Sequence, residues 1–148
     1  MPRIINESGL ALIKQFEGMR LEAYPDVCGV WTIGYGHTNG VAPGMTITQD
    51  QADQLLLNDL DDAQNAVGAA VGEVDTSDNQ FAAMVSLCYN IGVGNFRSST
   101  VLKQHLVGDT PGAANAFLLW NKATIDGTPQ VVTGLTLRRH AERALYLS

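Results

Sequence analysis

Residues 16–37 read Phe16-Glu17-Gly18-Met19-Arg20-Leu21-Glu22-Ala23-Tyr24-Pro25-Asp26-Val27-Cys28-Gly29-Val30-Trp31-Thr32-Ile33-Gly34-Tyr35-Gly36-His37. A carboxylic acid closes an amphipathic segment and Gly18 stands ready to end it. A second carboxylate, Asp26, lies between the turn formers Pro25 and Gly29, and a hydroxyl, Thr32, sits on an alternating run beyond them. The pattern is helix, strand, turn, strand, with a polar group of distinct chemistry at each junction.

Upstream, Asn6 is a good N-cap for a helix running to about Glu17. Leu10, Ile13 and Glu17 fall at i, i+3 and i+7, so Glu17 belongs to the apolar face beside Phe16. A carboxyl group against apolar surface loses hydration of its ionised form and keeps its proton longer, as a general acid must. Leu21 to Tyr24 and Val30 to Tyr35 read as two strands. Asp26 is then expected in an exposed corner, where solvation favours the carboxylate. Thr32 shares a strand face with Val30 and Gly34, while Trp31, Ile33 and Tyr35 face the other way. Glycines 34, 36 and 40 leave backbone accessible, as a cleft wall needs. A short third strand near Met45 to Ile47 completes the small sheet.

Downstream the pattern becomes helical. Thr48-Gln49-Asp50-Gln51 is a capping box opening a long helix to about Val71, with Leu56, Leu60, Ala63, Val67 and Ala70 as its buried stripe. Ser77-Asp78-Asn79-Gln80 opens the next, with Phe81, Met84, Val85, Cys88 and Ile91 inward and Gly92 after it. Shorter helices are expected from Thr100 to Val107 and from Pro111 to Trp120, the latter capped by Thr110 with Pro111 first in the helix. Trp120 reads as core. Asp126-Gly127 signals a hairpin turn, and a final helix from about Leu135 to Leu147 carries Leu137, Ala141, Ala144 and Leu145. The expected fold is α+β and mainly α. A single domain would comprise a β-lobe over about 18–47, a connecting helix over about 49–71 and a helical lobe over about 72–148 plus the N-terminal helix over about 7–17. A cleft is expected between the lobes.

With 148 residues, 45% hydrophobic and 16% charged, the chain has the composition of a soluble globular protein. No apolar run approaches the about 20 residues that span a bilayer, so no stable membrane insertion is expected. A net charge of −6 argues against nucleic acid or an anionic membrane as the main partner. The N-terminus is too polar for a secretory signal, so the chain is expected either to fold in the cytoplasm or to have lost its signal already. Cys28 and Cys88 form neither a metal motif nor a disulfide framework; they read as reduced thiols, with a Cys28–Cys88 bridge as the alternative. His37, His105 and His140 lack metal-ligand spacing. No cofactor and no metal are expected.

A proton donor on one side and a carboxylate on the other is what breaking a glycosidic bond requires. The spacing Glu17, eight residues, Asp26, five residues, Thr32, with Phe16-Glu17-Gly18 before it and Trp31-Thr32-Ile33-Gly34-Tyr35-Gly36-His37-Thr38 around its end, resembles the phage-type lysozymes (endolysins) of glycoside hydrolase family 24, most closely the lambdoid-phage branch. Further matches are Tyr89-Asn90-Ile91-Gly92-Val93-Gly94-Asn95-Phe96, Ser99-Thr100, and Gly134-Leu135 followed by Arg138-Arg139-His140-Ala141-Glu142.

The resemblance implies a two-lobed lysozyme-like fold. It also implies hydrolysis of the β-1,4 bond between N-acetylmuramic acid and N-acetylglucosamine in peptidoglycan. Glu17 would protonate the leaving oxygen, Asp26 would assist water attack or stabilise positive charge on the sugar, and Thr32 would position the water, which favours an inverting route. By the same resemblance Phe96 falls where an aromatic ring closes the cleft and Thr38 beside the sugar-binding strand end, making both candidates for substrate contact. His37 reads as structural, pairing with an acidic residue across its lobe. Arg138, Arg139 and Arg143 read either as surface charges or as the source of a partner that orients Glu17.

Many relatives are basic whereas this chain is acidic, so its activity is expected to depend weakly on salt. No hydrophobic N-terminal anchor of the kind some relatives carry is expected. The expectation is a monomer held in the host cytoplasm until a separate hole-forming protein, a holin, gives it access to the wall. Two other readings compete: a lytic transglycosylase, which cuts the same bond without water, and a catalytically inactive wall-binding module.

Overall fold

Helix α1 (Glu7–Glu17) starts where expected: the Asn6 side chain accepts a hydrogen bond from the Gly9 N–H at 2.9 Å. It ends at Gly18, which takes the left-handed conformation at φ 69° while its N–H still reaches the Lys14 carbonyl at 3.1 Å. The computed structural model describes residues 3–148. The chain divides into two compact units. One is Ile13–Asp61; the other joins the described residues up to Leu12 with Asp62–Ser148.

In the unit Ile13–Asp61, β1 (Arg20–Pro25) and β2 (Trp31–Gly34) pair antiparallel, with Tyr24 opposite Thr32 and Pro25 opposite Trp31. The expected third strand is reduced to one bridge. Thr46 lies opposite Glu22, held by Ala23 N–H to Met45 O and Ile47 N–H to Leu21 O, both 2.9 Å. Helix α2 (Gln49–Asp59) opens with the Thr48–Gln51 capping box and packs on β2, burying Ala52 and Leu56.

The single helix expected over 49–71 is two. Leu60 interrupts it, and α3 (Asp61–Val71) begins afresh. Asn58, Asp59, Asp61 and Asp62 explain the break, because short polar side chains favour helix ends over interiors and acidic ones suit a first turn. The unit boundary falls at the same point. The expected stripe survives the break, with Leu56, Leu60, Ala63 and Val67 all buried.

In the other unit, α4 (Asp78–Ile91) carries the Ser77–Gln80 capping box and buries Phe81 through Cys88. Gly92, at φ 95°, turns the chain into a short α5 (Val93–Arg97) that the sequence pattern did not reveal. Helix α6 (Thr100–Leu106) follows. Helix α7 (Thr110–Ala116) is capped by Asp109 rather than Thr110: the Asp109 carboxylate accepts from the Gly112 N–H at 3.0 Å, which puts Thr110 and Pro111 inside the first turn. A 3₁₀ turn, Phe117–Leu119, leads to a hairpin of β3 (Lys122–Ile125) and β4 (Thr128–Val131). Asp126 and Gly127 both have positive φ, 52° and 78°, as the Asp-Gly signal requires.

Helix α8 (Thr133–Leu147) packs on α4 through a face the sequence pattern misassigned. Leu137 and Ala144 are exposed, while Arg138, Arg139, Glu142 and Tyr146 are buried. Arg139 grips both oxygens of Glu142, Nε to Oε1 at 2.7 Å and Nη2 to Oε2 at 3.1 Å; Arg138 Nε adds 3.3 Å to Oε2, and the Ser86 hydroxyl donates to the same oxygen. Burial pushes the Glu142 carboxyl up, opposed by Arg139, Arg138 and Ser86. A charged face can be buried because each of its charges meets an opposite charge within it.

Candidate active site

Glu17, Asp26 and Thr32 all fall in the unit Ile13–Asp61. Glu17 is the last residue of α1 and is half-buried, and its Oε1 lies over the α-carbon of Gly36. One turn earlier, Lys14 fastens this end of α1 to α2 through an ion pair with Asp53 at 3.1 Å, and its ammonium sits 5.4 Å from the centre of the Tyr35 ring. The Lys14 hydrogen bond holds the Asp53 carboxyl below its ordinary value, with a smaller contribution from Gln49.

Asp26 is built into its turn. Its Oδ1 accepts from the N–H groups of Cys28 at 2.8 Å and Val30 at 2.9 Å, while its own N–H donates to the Val30 carbonyl at 2.8 Å. Such bonds to a charged acceptor fix the side chain in one orientation. Thr32 is 4% exposed and its hydroxyl donates to the Val30 carbonyl at 2.9 Å. With that proton committed, the hydroxyl oxygen is left as an acceptor.

His37 pairs within the same unit, as expected, with an acidic residue. Its Nδ1 meets the two Asp59 oxygens at 2.8 and 3.1 Å, and its Nε2 lies 2.8 Å from the Asn39 carbonyl. Thr38 is exposed. Phe96 corrects the expectation made for it: at 0% exposure its ring presents no surface to a sugar, and it serves as the buried anchor of α5. Arg143 donates through Nε and Nη2 to the Asn115 side chain at 3.1 and 3.0 Å. Arg139, besides Glu142, donates to the Trp120 carbonyl at 3.2 Å. Trp120 is half-buried rather than core.

Cys28 is exposed and Cys88 buried, and neither is in a disulfide. Burial raises the Cys88 thiol to about 11. His105 is enclosed between the Thr76 hydroxyl at 2.7 Å and the Tyr146 hydroxyl at 2.6 Å. Among the described residues no group of three or more His, Cys, Asp or Glu is arranged to hold a metal ion. Sequence reasoning passed over Lys14, Asp53 and Asp59, and read Gly36 as cleft-wall backbone without linking it to Glu17. Only Lys14 carried a local signal, three residues before Glu17 on the same helix.

Residues 14–142, which include the helix-plus-hairpin unit from its second residue onward, match the family model for phage lysozyme. The chain belongs to the phage lysozyme family. It is 43% identical over 144 residues to the endolysin of Acyrthosiphon pisum secondary endosymbiont phage 1, covering 97% of this chain and 98% of that one. Among solved structures, the endolysin from Escherichia coli O157:H7 phage FAHEc1 superposes with a TM-score of 0.94 at 42% identity, over 98% of this chain and 94% of its own. The muramidase domain of SpmX from Asticaccaulis excentricus gives 0.91 at 39% identity, over 99% of each chain. This phage lysozyme therefore shares its fold with proteins of close sequence along nearly its whole length.

Proposed function

We propose that this phage lysozyme is an endolysin, a muramidase that hydrolyses the β-1,4 bond between N-acetylmuramic acid and N-acetylglucosamine in bacterial peptidoglycan and so lyses the host cell. The observation that carries the reading is that Glu17, Asp26 and Thr32 occupy successive junctions of one helix-plus-hairpin unit, two of them held by hydrogen bonds to its own backbone.

Glu17 gives its proton to the glycosidic oxygen as the bond from that oxygen to the anomeric carbon breaks. A water attacks that carbon from the other face. Asp26, its Oδ1 occupied by the turn, takes the proton of that water through Oδ2 and ends neutral while Glu17 ends ionised. Thr32, with its own proton given to Val30, accepts a hydrogen bond from the same water and holds it in line. This division of labour gives inversion at the anomeric centre.

The enzyme acts as a monomer. Among the described residues no helix is long and apolar enough to cross a membrane, and access to the wall is through membrane holes formed by a separate holin, with the enzyme held in the host cytoplasm until then.

The test is clearing of permeabilised bacterial cells. Wild type clears them, and Glu17→Gln, which keeps the shape but has no proton to give, clears roughly 10²–10⁴-fold more slowly. An inactive wild type, or a variant as fast as wild type, removes the proposal. Mass spectrometry of the products separates the chemistries: hydrated reducing ends are expected, and anhydro ends would replace hydrolysis by transglycosylation.

A further inference from the structure

Resting on the reading of Glu17 as the acid, we propose that Gly36 is a positioning residue for it: the missing side chain at 36 is the space in which the Glu17 carboxylate sits. A Cβ on Gly36 would lie 3.2 Å from Glu17 Oε1, closer than all but a small share of real Cβ contacts, and among the described residues, its chain neighbours Tyr35 and His37 aside, no other atom comes within 4 Å of it. Beyond the adjacent residues of the turn, the described neighbour that a methyl group at 36 would disturb is therefore the catalytic oxygen.

Neither partner can retreat. Gly36 belongs to a tight turn closed by reciprocal hydrogen bonds between Ile33 and His37, both 2.9 Å, and His37 is clamped by Asp59. The end of α1 is tied to α2 by Lys14 and Asp53 at 3.1 Å. Gln49 links the two ties, donating one N–H to Asp53 at 3.0 Å and the other to the Tyr35 hydroxyl at 3.1 Å, next door to Gly36. The path from Glu17 through Lys14, Asp53, Gln49, Tyr35 and Gly36 thus returns to Glu17. With the helix tied to Asp53 and the turn to Gln49 and Asp59, all on α2, a methyl group at 36 is not accommodated by drawing them apart. The carboxylate must rotate away, and a general acid displaced by a fraction of an ångström loses alignment with its oxygen.

Gly34 supplies the control. It lies in the same turn with a similar backbone, φ 65° against 88°, but a Cβ there meets Ile47 and Ala52 at 3.5 Å or more, ordinary contacts with no catalytic group. Gly34→Ala and Gly36→Ala therefore carry comparable backbone strain, and only the second reaches Glu17. Gly36→Asn is the companion variant, because asparagine tolerates positive φ best among residues with a Cβ.

The experiment measures kcat, KM and Tm on a soluble peptidoglycan fragment. Gly36→Ala and Gly36→Asn are expected to lower kcat by about tenfold to hundredfold with KM within about twofold. Gly34→Ala is expected to lower Tm similarly but leave kcat within about twofold. In a Glu17→Asp background, whose shorter side chain withdraws the carboxylate, adding Gly36→Ala should change kcat by less than about twofold. A folded Gly36→Ala or Gly36→Asn enzyme with wild-type kcat overturns the proposal, as does a Gly34→Ala loss equal to theirs. Failure of Glu17 as the acid shows up separately, as a Glu17→Gln enzyme that retains full activity.

Discussion

The two units of this protein are held together by different means. Asp62–Ser148 is a helical unit whose order comes from packing: Phe81, Met84, Leu87, Phe117 and Tyr146 are fully buried, and an Arg138–Glu142–Arg139 cluster is enclosed with them. Ile13–Asp61 buries fewer large side chains, chiefly Ile13, Ile33, Leu56 and Leu60. Its shape is specified by glycines at positive φ and by side chains bonded to backbone, as at Asp26 and Thr32. All three candidate catalytic residues lie in the second kind of architecture. Hydrogen-bonded turns present polar groups outward at defined angles, whereas a packed helical core hides what it orients.

The contrast is broken most severely from the packed side. Glu142→Ala leaves two enclosed guanidinium groups without the carboxylate they share, and is expected to cost about 3–5 kcal/mol in urea denaturation. A loss below about 1 kcal/mol would mean that the cluster behaves as a surface feature. On the turn side, Asp26→Asn should do the reverse. The amide oxygen still accepts from Cys28 and Val30, so Tm should barely move, while clearing of cells falls by at least about 10²-fold. A variant that unfolds, or one that stays active, would contradict the assignment of chemistry to this turn.

Each unit also has a capping box, so one motif can be compared in both settings. Ser77→Ala and Thr48→Ala are each expected to cost about 1 kcal/mol by denaturant titration. A much larger loss for Ser77 would show that packing around α4 magnifies local defects.

The smallest effect concerns pH. Burial holds the His105 imidazole below its ordinary 6.5, against the opposing charge of Asp75. The unfolded chain therefore takes up this proton before the folded one does, and stability falls as pH drops through the ordinary imidazole value of 6.5. His105→Gln should flatten that slope, and an unchanged slope would assign it to other groups.

Much of this architecture was legible in the sequence. Asn6, Gly18, the two capping boxes and Asp126-Gly127 each dictate their own turn or helix end, because the atoms involved lie within a few residues of one another. The exceptions have physical causes. Leu60 breaks a helix whose apolar stripe runs on without interruption, so periodicity could not mark the break. Helix α8 buries Arg138, Arg139 and Glu142 rather than Leu137, since a hydrophobic pattern cannot register charges that pair with one another. Phe96 is an aromatic whose neighbours in the chain do not say whether its ring faces core or solvent.

By itself the sequence determined the order of helix and hairpin and the positions of Glu17, Asp26 and Thr32, within sixteen residues whose geometry is set by local backbone preferences. Only the tertiary structure decided what surrounds them. His37 finds Asp59 22 positions away, Ser86 finds Glu142 56 away, and the Glu17 carboxylate rests over Gly36. Such pairings are chosen by packing, where distance along the chain counts for little and the space each side chain leaves for another counts for most.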